Sequence, residues 1–107
     1  MYGIYNTVID PTHFEGFQWD AGNARKSADK HGVSQAEAEQ IFFNEPLLLL
    51  PDARHNQTGS RFYALGRTDD GRRLHVIFTL RDQGRLIRII SARDMHRTER
   101  TQYGQDT

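Results

Sequence analysis

The chain has no cysteine, which excludes a disulfide framework, a thiolate nucleophile and any cysteine-ligated metal centre. No apolar run approaches the roughly 20 residues needed to span a bilayer. The first residues also lack the basic-then-apolar order of a signal peptide, so the expected compartment is the cytoplasm, with no membrane contact. The glycines form no GxxxxGK phosphate loop, and no serine stands in a nucleophile elbow. His13, His31, His55, His75 and His96 show no HxH, HxxxH or HExxH spacing, so neither a metal nor another cofactor is expected.

What is present is an uneven distribution of charge. The formal net charge is +0. Residues 1–52 nevertheless carry Arg25, Lys26 and Lys30 against eight acids, while residues 53–103 carry eleven arginines and no lysine against five acids. Such separation predicts a basic surface in the second half, suited to a polyanion or an acidic partner. Arginine in place of lysine favours planar, two-pronged recognition of phosphate. At 107 residues the expectation is one domain over 14–104, preceded by an arm at 1–13.

Hydrophobic periodicity and turn chemistry predict the elements. Phe14–Trp19 reads as a short strand, and Asp20 as the cap of a helix over 21–31 that Gly32 ends in the left-handed conformation. Ser34 and Glu37 have capping-box spacing, with Val33 and Ala38 as the staple, so a second helix follows and stops at Pro46. Leu47–Leu50, between Pro46 and Pro51, reads as an edge strand. A strand over 61–68 leads through Asp70–Gly71 into the alternating strand Leu74–Arg81. Asp82–Gly84 turns the chain into Leu86–Ala92, expected to be buried on most of both faces although it carries Arg88. Ser91 and Asp94 are the expected caps of a final helix, Asp94–Tyr103, with Arg93, Arg97 and Arg100 in one stripe. The fold class is α+β: a strand and two helices, then a mainly antiparallel four-stranded meander and a C-terminal helix, with the helices gathered on one face.

A metal-free site of arginines and histidines suits RNA cleavage. The 2′-hydroxyl is the nucleophile, so the protein supplies a base, cations around the phosphorane and an acid for the leaving 5′-oxygen. Lys30–His31, at the end of a helix, is one acid–base candidate, and Arg54–His55 lies in a polar loop where functional residues concentrate. His75 points away from the apolar face of its strand, where an RNA groove can form. Arg88, a charge set in an apolar strand, requires a partner or an anionic ligand.

Phe17-Gln-Trp-Asp20, Lys30-His-Gly-Val-Ser34, Glu37-Ala38, Asp52-Ala-Arg-His55, Arg61, Gly66-Arg67, Ile87-Arg-Ile-Ile-Ser-Ala-Arg93, Glu99-Arg100 and Tyr103 occur in an order and spacing that resembles the BrnT toxins. The resemblance covers about residues 14 to 103. It implies a RelE-like fold and a metal-independent endoribonuclease that cleaves mRNA, leaving a cyclic phosphate or its 3′-phosphate product. It also implies a type II toxin–antitoxin system, in which a BrnA-like antitoxin neutralises the toxin and contacts operator DNA. By matching motif, Lys30, His31, Arg61, Arg67 and Arg88 are the implied catalytic residues. Arg54, His55, His75 and Arg93 are expected to bind RNA, and Arg97 and Arg100 the antitoxin. The competing reading is a non-catalytic module that docks an antitoxin and acts in operator repression. Convergence of Arg61, Arg67 and Arg88 with a histidine or lysine in one groove favours the enzyme; scatter, or neutralisation by the chain's own acids, favours the module.

Overall fold

A computed structural model describes residues 13–52 and 61–104. The expected arm therefore lies outside the described residues except for His13, as do Arg54 and His55. The elements are β1 (Gly16–Phe17), α1 (Lys26–His31), α2 (Gln35–Gln40) with a 3-10 turn at Ile41–Phe43, β2 (Leu48–Pro51), β3 (Arg61–Arg67), β4 (Arg73–Arg81), β5 (Leu86–Asp94) and α3 (Arg97–Tyr103). They form an α+β fold around a five-stranded mixed sheet of order β1-β5-β4-β3-β2. Strands β2 to β5 pair antiparallel in sequence order, and β1 adds to β5 in parallel.

The turn residues act as their chemistry dictates. Gly32 ends α1 at φ 67°, and Gly71 turns β3 into β4 at φ 88°. Ser34 Oγ accepts from Glu37 N while Glu37 Oε1 accepts from Ser34 N, both at 3.0 Å, which satisfies two amides that open α2. The four-leucine run does lie at the sheet edge.

The helices do not share one face. Val33, Ala38 and Ile41 pack with Phe62, Ala64, Leu74, Val76, Phe78, Ile87, Ile89 and Ala92 on the first face of the sheet. On the second face Met95 and Tyr103, from the segment of α3, pack on Leu65 with Leu48 and Tyr63 beside them. Strand β5 accordingly buries one face, not both: Ile87, Ile89 and Ala92 are buried while Arg88, Ile90 and Ser91 are only half-buried.

A bulge sets the parity of that strand. Ile77 pairs with Ser91 and Phe78 with Ile89, so Ile90 is the extra residue. Side chains alternate along a strand, and without the extra residue Arg88 and Arg93 would point to opposite faces. With it, both join the second face.

The first helix starts five residues later than its sequence suggests. The Asp20 carboxylate accepts from Gly22 N at 2.8 Å and from Arg88, so it closes a turn rather than capping a helix. Asn23, in that turn, is buried; its Nδ2 donates to the Ile89 carbonyl at 2.8 Å and the Gln18 carbonyl at 3.1 Å. Ser27 Oγ accepts from Ala92 N at 2.7 Å. These side chains satisfy the edge of β5 beyond the short β1. The last helix also starts late, because Glu99 Oε1 accepts from His96 N at 2.8 Å while Asp94 is drawn to Arg72. Arg93 thus belongs to β5 and not to the helical stripe. No helix among the described residues is long and apolar enough to cross a membrane.

Candidate active site on the second sheet face

The second face is built from cross-strand rows. Arg61 on β3, Thr79 on β4 and Arg88 on β5 form one row; Tyr63, Ile77 and Ser91 form the next; Leu65, His75 and Arg93 form the third. Four residues along β4 separate the first row from the third, about 13 Å at ordinary strand rise. Helix α3 covers the far end of this face and leaves a cleft of about 410 Å³, lined in part by Asp52, Tyr63, His75, Ile77, Arg93 and Glu99.

At its centre Arg93 Nη1 and Nη2 each donate at 2.8 Å to one oxygen of Glu99. This two-pronged pair, with the His96 amide, holds the Glu99 carboxyl down at about 2. His75 Nε2 lies 3.7 Å from Glu99 Oε2, and Tyr63 stacks on the imidazole with ring centroids 5.2 Å apart. His75 is only 8% exposed. Burial, and then the charge of Arg93, push it below the ordinary histidine value, against the pull of Glu99 and Asp52. It is therefore neutral at pH 7 and competent to accept a proton. Arg61 approaches Asp52 at 3.3 Å on the same face.

The five residues expected to be catalytic are not brought to one point. Lys30 is exposed and His31 half-buried in the last turn of α1, where His31 acts electrostatically on Asp94. Arg67 faces Arg73 across β3 and β4, and the charges of both act on Tyr103. Arg88 is held by both oxygens of Asp20, at 2.8 and 3.1 Å, with Gln18 at 3.3 Å. Two residues assigned from sequence to RNA binding, His75 and Arg93, do meet. Arg97 and Arg100 are exposed on α3, and Arg100 Nη1 donates to the Met95 carbonyl at 2.9 Å.

Tyr63, Asp52 and the carboxylate role of Glu99 escaped the sequence reading. Glu99 follows Arg93 by six residues, a spacing that carries no signal until a strand end and a helix start are folded together. Among the described residues no group of three histidine, aspartate or glutamate side chains forms a metal-ligand set.

Fold and cleft together define a small α+β protein with a neutral histidine, a carboxylate and arginine on one partly open sheet face, a combination suited to acid–base work on a phosphate-bearing ligand. The family model described as "Ribonuclease toxin, BrnT, of type II toxin-antitoxin system" matches residues 19–99. The chain belongs to that family of ribonuclease toxins, in agreement with the resemblance read from its motifs. The fold is similar to the 1.1 Å crystal structure of the Brucella abortus ribonuclease toxin BrnT, with TM-score 0.57 and 20% identity over 77% of this chain and 97% of that one. No curated protein matches the chain.

Proposed function

We propose that the chain is a metal-independent endoribonuclease that cleaves mRNA through attack of the 2′-hydroxyl, and that residues 14–104 form the single toxin domain. The observation that carries this reading is the His75–Glu99–Arg93 cluster in the cleft of a protein from a ribonuclease toxin family. His75 Nε2 takes the 2′-hydroxyl proton, the 2′-oxygen bonds to phosphorus and the bond to the 5′-oxygen breaks. That oxygen leaves with a proton from an acid, and the products are a 2′,3′-cyclic phosphate and a 5′-hydroxyl, as in RelE-like enzymes. Arg93 stabilises the charge that gathers on the phosphorane, and Arg61 acts on the RNA backbone from the first row of the same face. Arg88 and Arg67 serve flanking phosphates along the same face. Lys30 and His31 are the alternative acid–base pair. A BrnA-like antitoxin neutralises the toxin in the cytoplasm by docking on Arg97 and Arg100, and operator DNA is met only through that antitoxin.

A second reading has support of its own. Arg88 and Arg61 are each paired with an acid of the same chain, Asp20 and Asp52, as expected for a module that docks an antitoxin without cutting RNA. Controlled expression without antitoxin, followed by mapping of transcript ends, separates the two. Growth arrest with new 5′-hydroxyl ends is expected of the enzyme; normal growth with intact transcripts and abundant soluble protein is expected of the module.

A further inference from the structure

The Arg93 guanidinium is already occupied in the free protein. Glu99 presents its two oxygens to Nη1 and Nη2 at equal distances of 2.8 Å, the fork geometry by which arginine also holds two oxygens of a phosphate. Nη1 in addition donates to the Asp94 carbonyl at 3.0 Å. The two side chains are 23% and 17% exposed and line an open cleft, so the pair is sheltered but within reach of a ligand. Glu99 Oε2 stands 3.7 Å from His75 Nε2, too far for a hydrogen bond and near enough for its charge to favour the protonated ring.

We propose that Glu99 is a resident surrogate for phosphate: an RNA phosphate displaces its carboxylate from the Arg93 fork, and the freed carboxylate stays beside His75, on which it acts through its charge. This rests on the cleft being the RNA site. The exchange gives selectivity, since an anion enters the fork only if it outcompetes a carboxylate already in place with both its bonds made. It also couples binding to chemistry. Before exchange the Glu99 charge is spent on Arg93. After exchange phosphate neutralises Arg93, and Glu99 is left to support the imidazolium that forms when Nε2 takes the proton.

The test titrates the protein with inorganic phosphate and follows the His75 ring resonances by NMR. Glu99→Gln removes the charge but keeps a side chain that can accept from the His96 amide, as glutamine does in a capping box. Phosphate affinity is expected to rise roughly tenfold in Glu99→Gln, a typical coupling between two ligands of one site, and to be lost again in the double variant with Arg93→Gln. In the wild-type protein, saturating phosphate should raise the pKa of His75, because the nearby positive charge is neutralised while Glu99 remains. Equal affinity of wild type and Glu99→Gln, or a His75 titration that phosphate leaves unmoved, overturns the proposal. Because no cleavage is involved, the two claims fail separately. An active ribonuclease with equal phosphate affinities sinks the exchange alone. An inactive chain that still exchanges sinks the ribonuclease reading alone.

Discussion

Tyr63 and His75 stack across neighbouring strands with their ring planes 17° apart, and this contact shields the imidazole that faces Glu99. Tyr63→Ala opens His75 to water, which relieves the burial that depresses its pKa. Activity that needs neutral His75 rises as pH rises through that pKa. The acid limb of the pH–rate profile is therefore expected to move to higher pH in Tyr63→Ala. Tyr63→Phe keeps the stack and loses only the 3.3 Å bond from Gln102 Nε2, so its limb should stay in place.

Stability should fall in two steps on acidification. The folded pKa of His75 is depressed below 6.5, so the unfolded state takes up the proton first and stability declines as pH falls below that value. Glu99 is depressed from 4.5 to about 2; its contribution is full above 4.5 and lost as pH falls from there towards 2. After allowance for solvent screening that second loss is about 1–3 kcal/mol. Denaturant midpoints measured from pH 8 to pH 3 check both steps, and His75→Gln should remove only the first.

Gly66 lies beneath the 3-10 turn on β3, where a Cβ would stand 2.9 Å from Ile41 Cβ and 3.2 Å from its carbonyl oxygen. Neither atom is the end of a flexible side chain. Gly66→Ala is therefore expected to cost about 1–3 kcal/mol through overpacking, read as a lowered urea midpoint with an unchanged slope.

Arg88→Ala should leave a soluble, folded protein. Its partner Asp20 is exposed, so no charge is stranded in the interior and the denaturant midpoint should fall only slightly. Growth inhibition is nevertheless expected to be lost, since the guanidinium lies on the face assigned to RNA. Wild-type toxicity would show that Arg88 serves only to tie the chain after β1 to β5.

Much of the fold was legible because it is written in local chemistry. Gly32, the Ser34–Glu37 box, Asp70–Gly71 and the prolines around the leucine run each act within a few residues of themselves. The failures share a cause. Asp20 and Asp94 both look like helix caps, yet each is claimed by an arginine far away in sequence, Arg88 and Arg72. The extra residue Ile90 leaves no mark in the pattern, yet it decides that Arg88 and Arg93 share a face. The sequence pointed to His75 and Arg93 separately, one by alternation and one by its place at the end of an apolar strand. Their meeting with Glu99 depends on strand register and on the angle at which α3 leaves β5, and neither is a local property.

On the function proposed above, His75, and not Lys30–His31, is the proton acceptor of a metal-independent ribonuclease. The most direct measurement incubates purified protein with a defined RNA in the presence of a chelator and maps the new ends. It compares wild type, His75→Gln and the double variant Lys30→Ala, His31→Ala. The expected result is cleavage with 5′-hydroxyl ends by wild type, a loss of at least about a hundredfold in His75→Gln, and a smaller loss in the double variant. Cleavage by His75→Gln at the wild-type rate, or no cleavage by any of the three proteins, would contradict it.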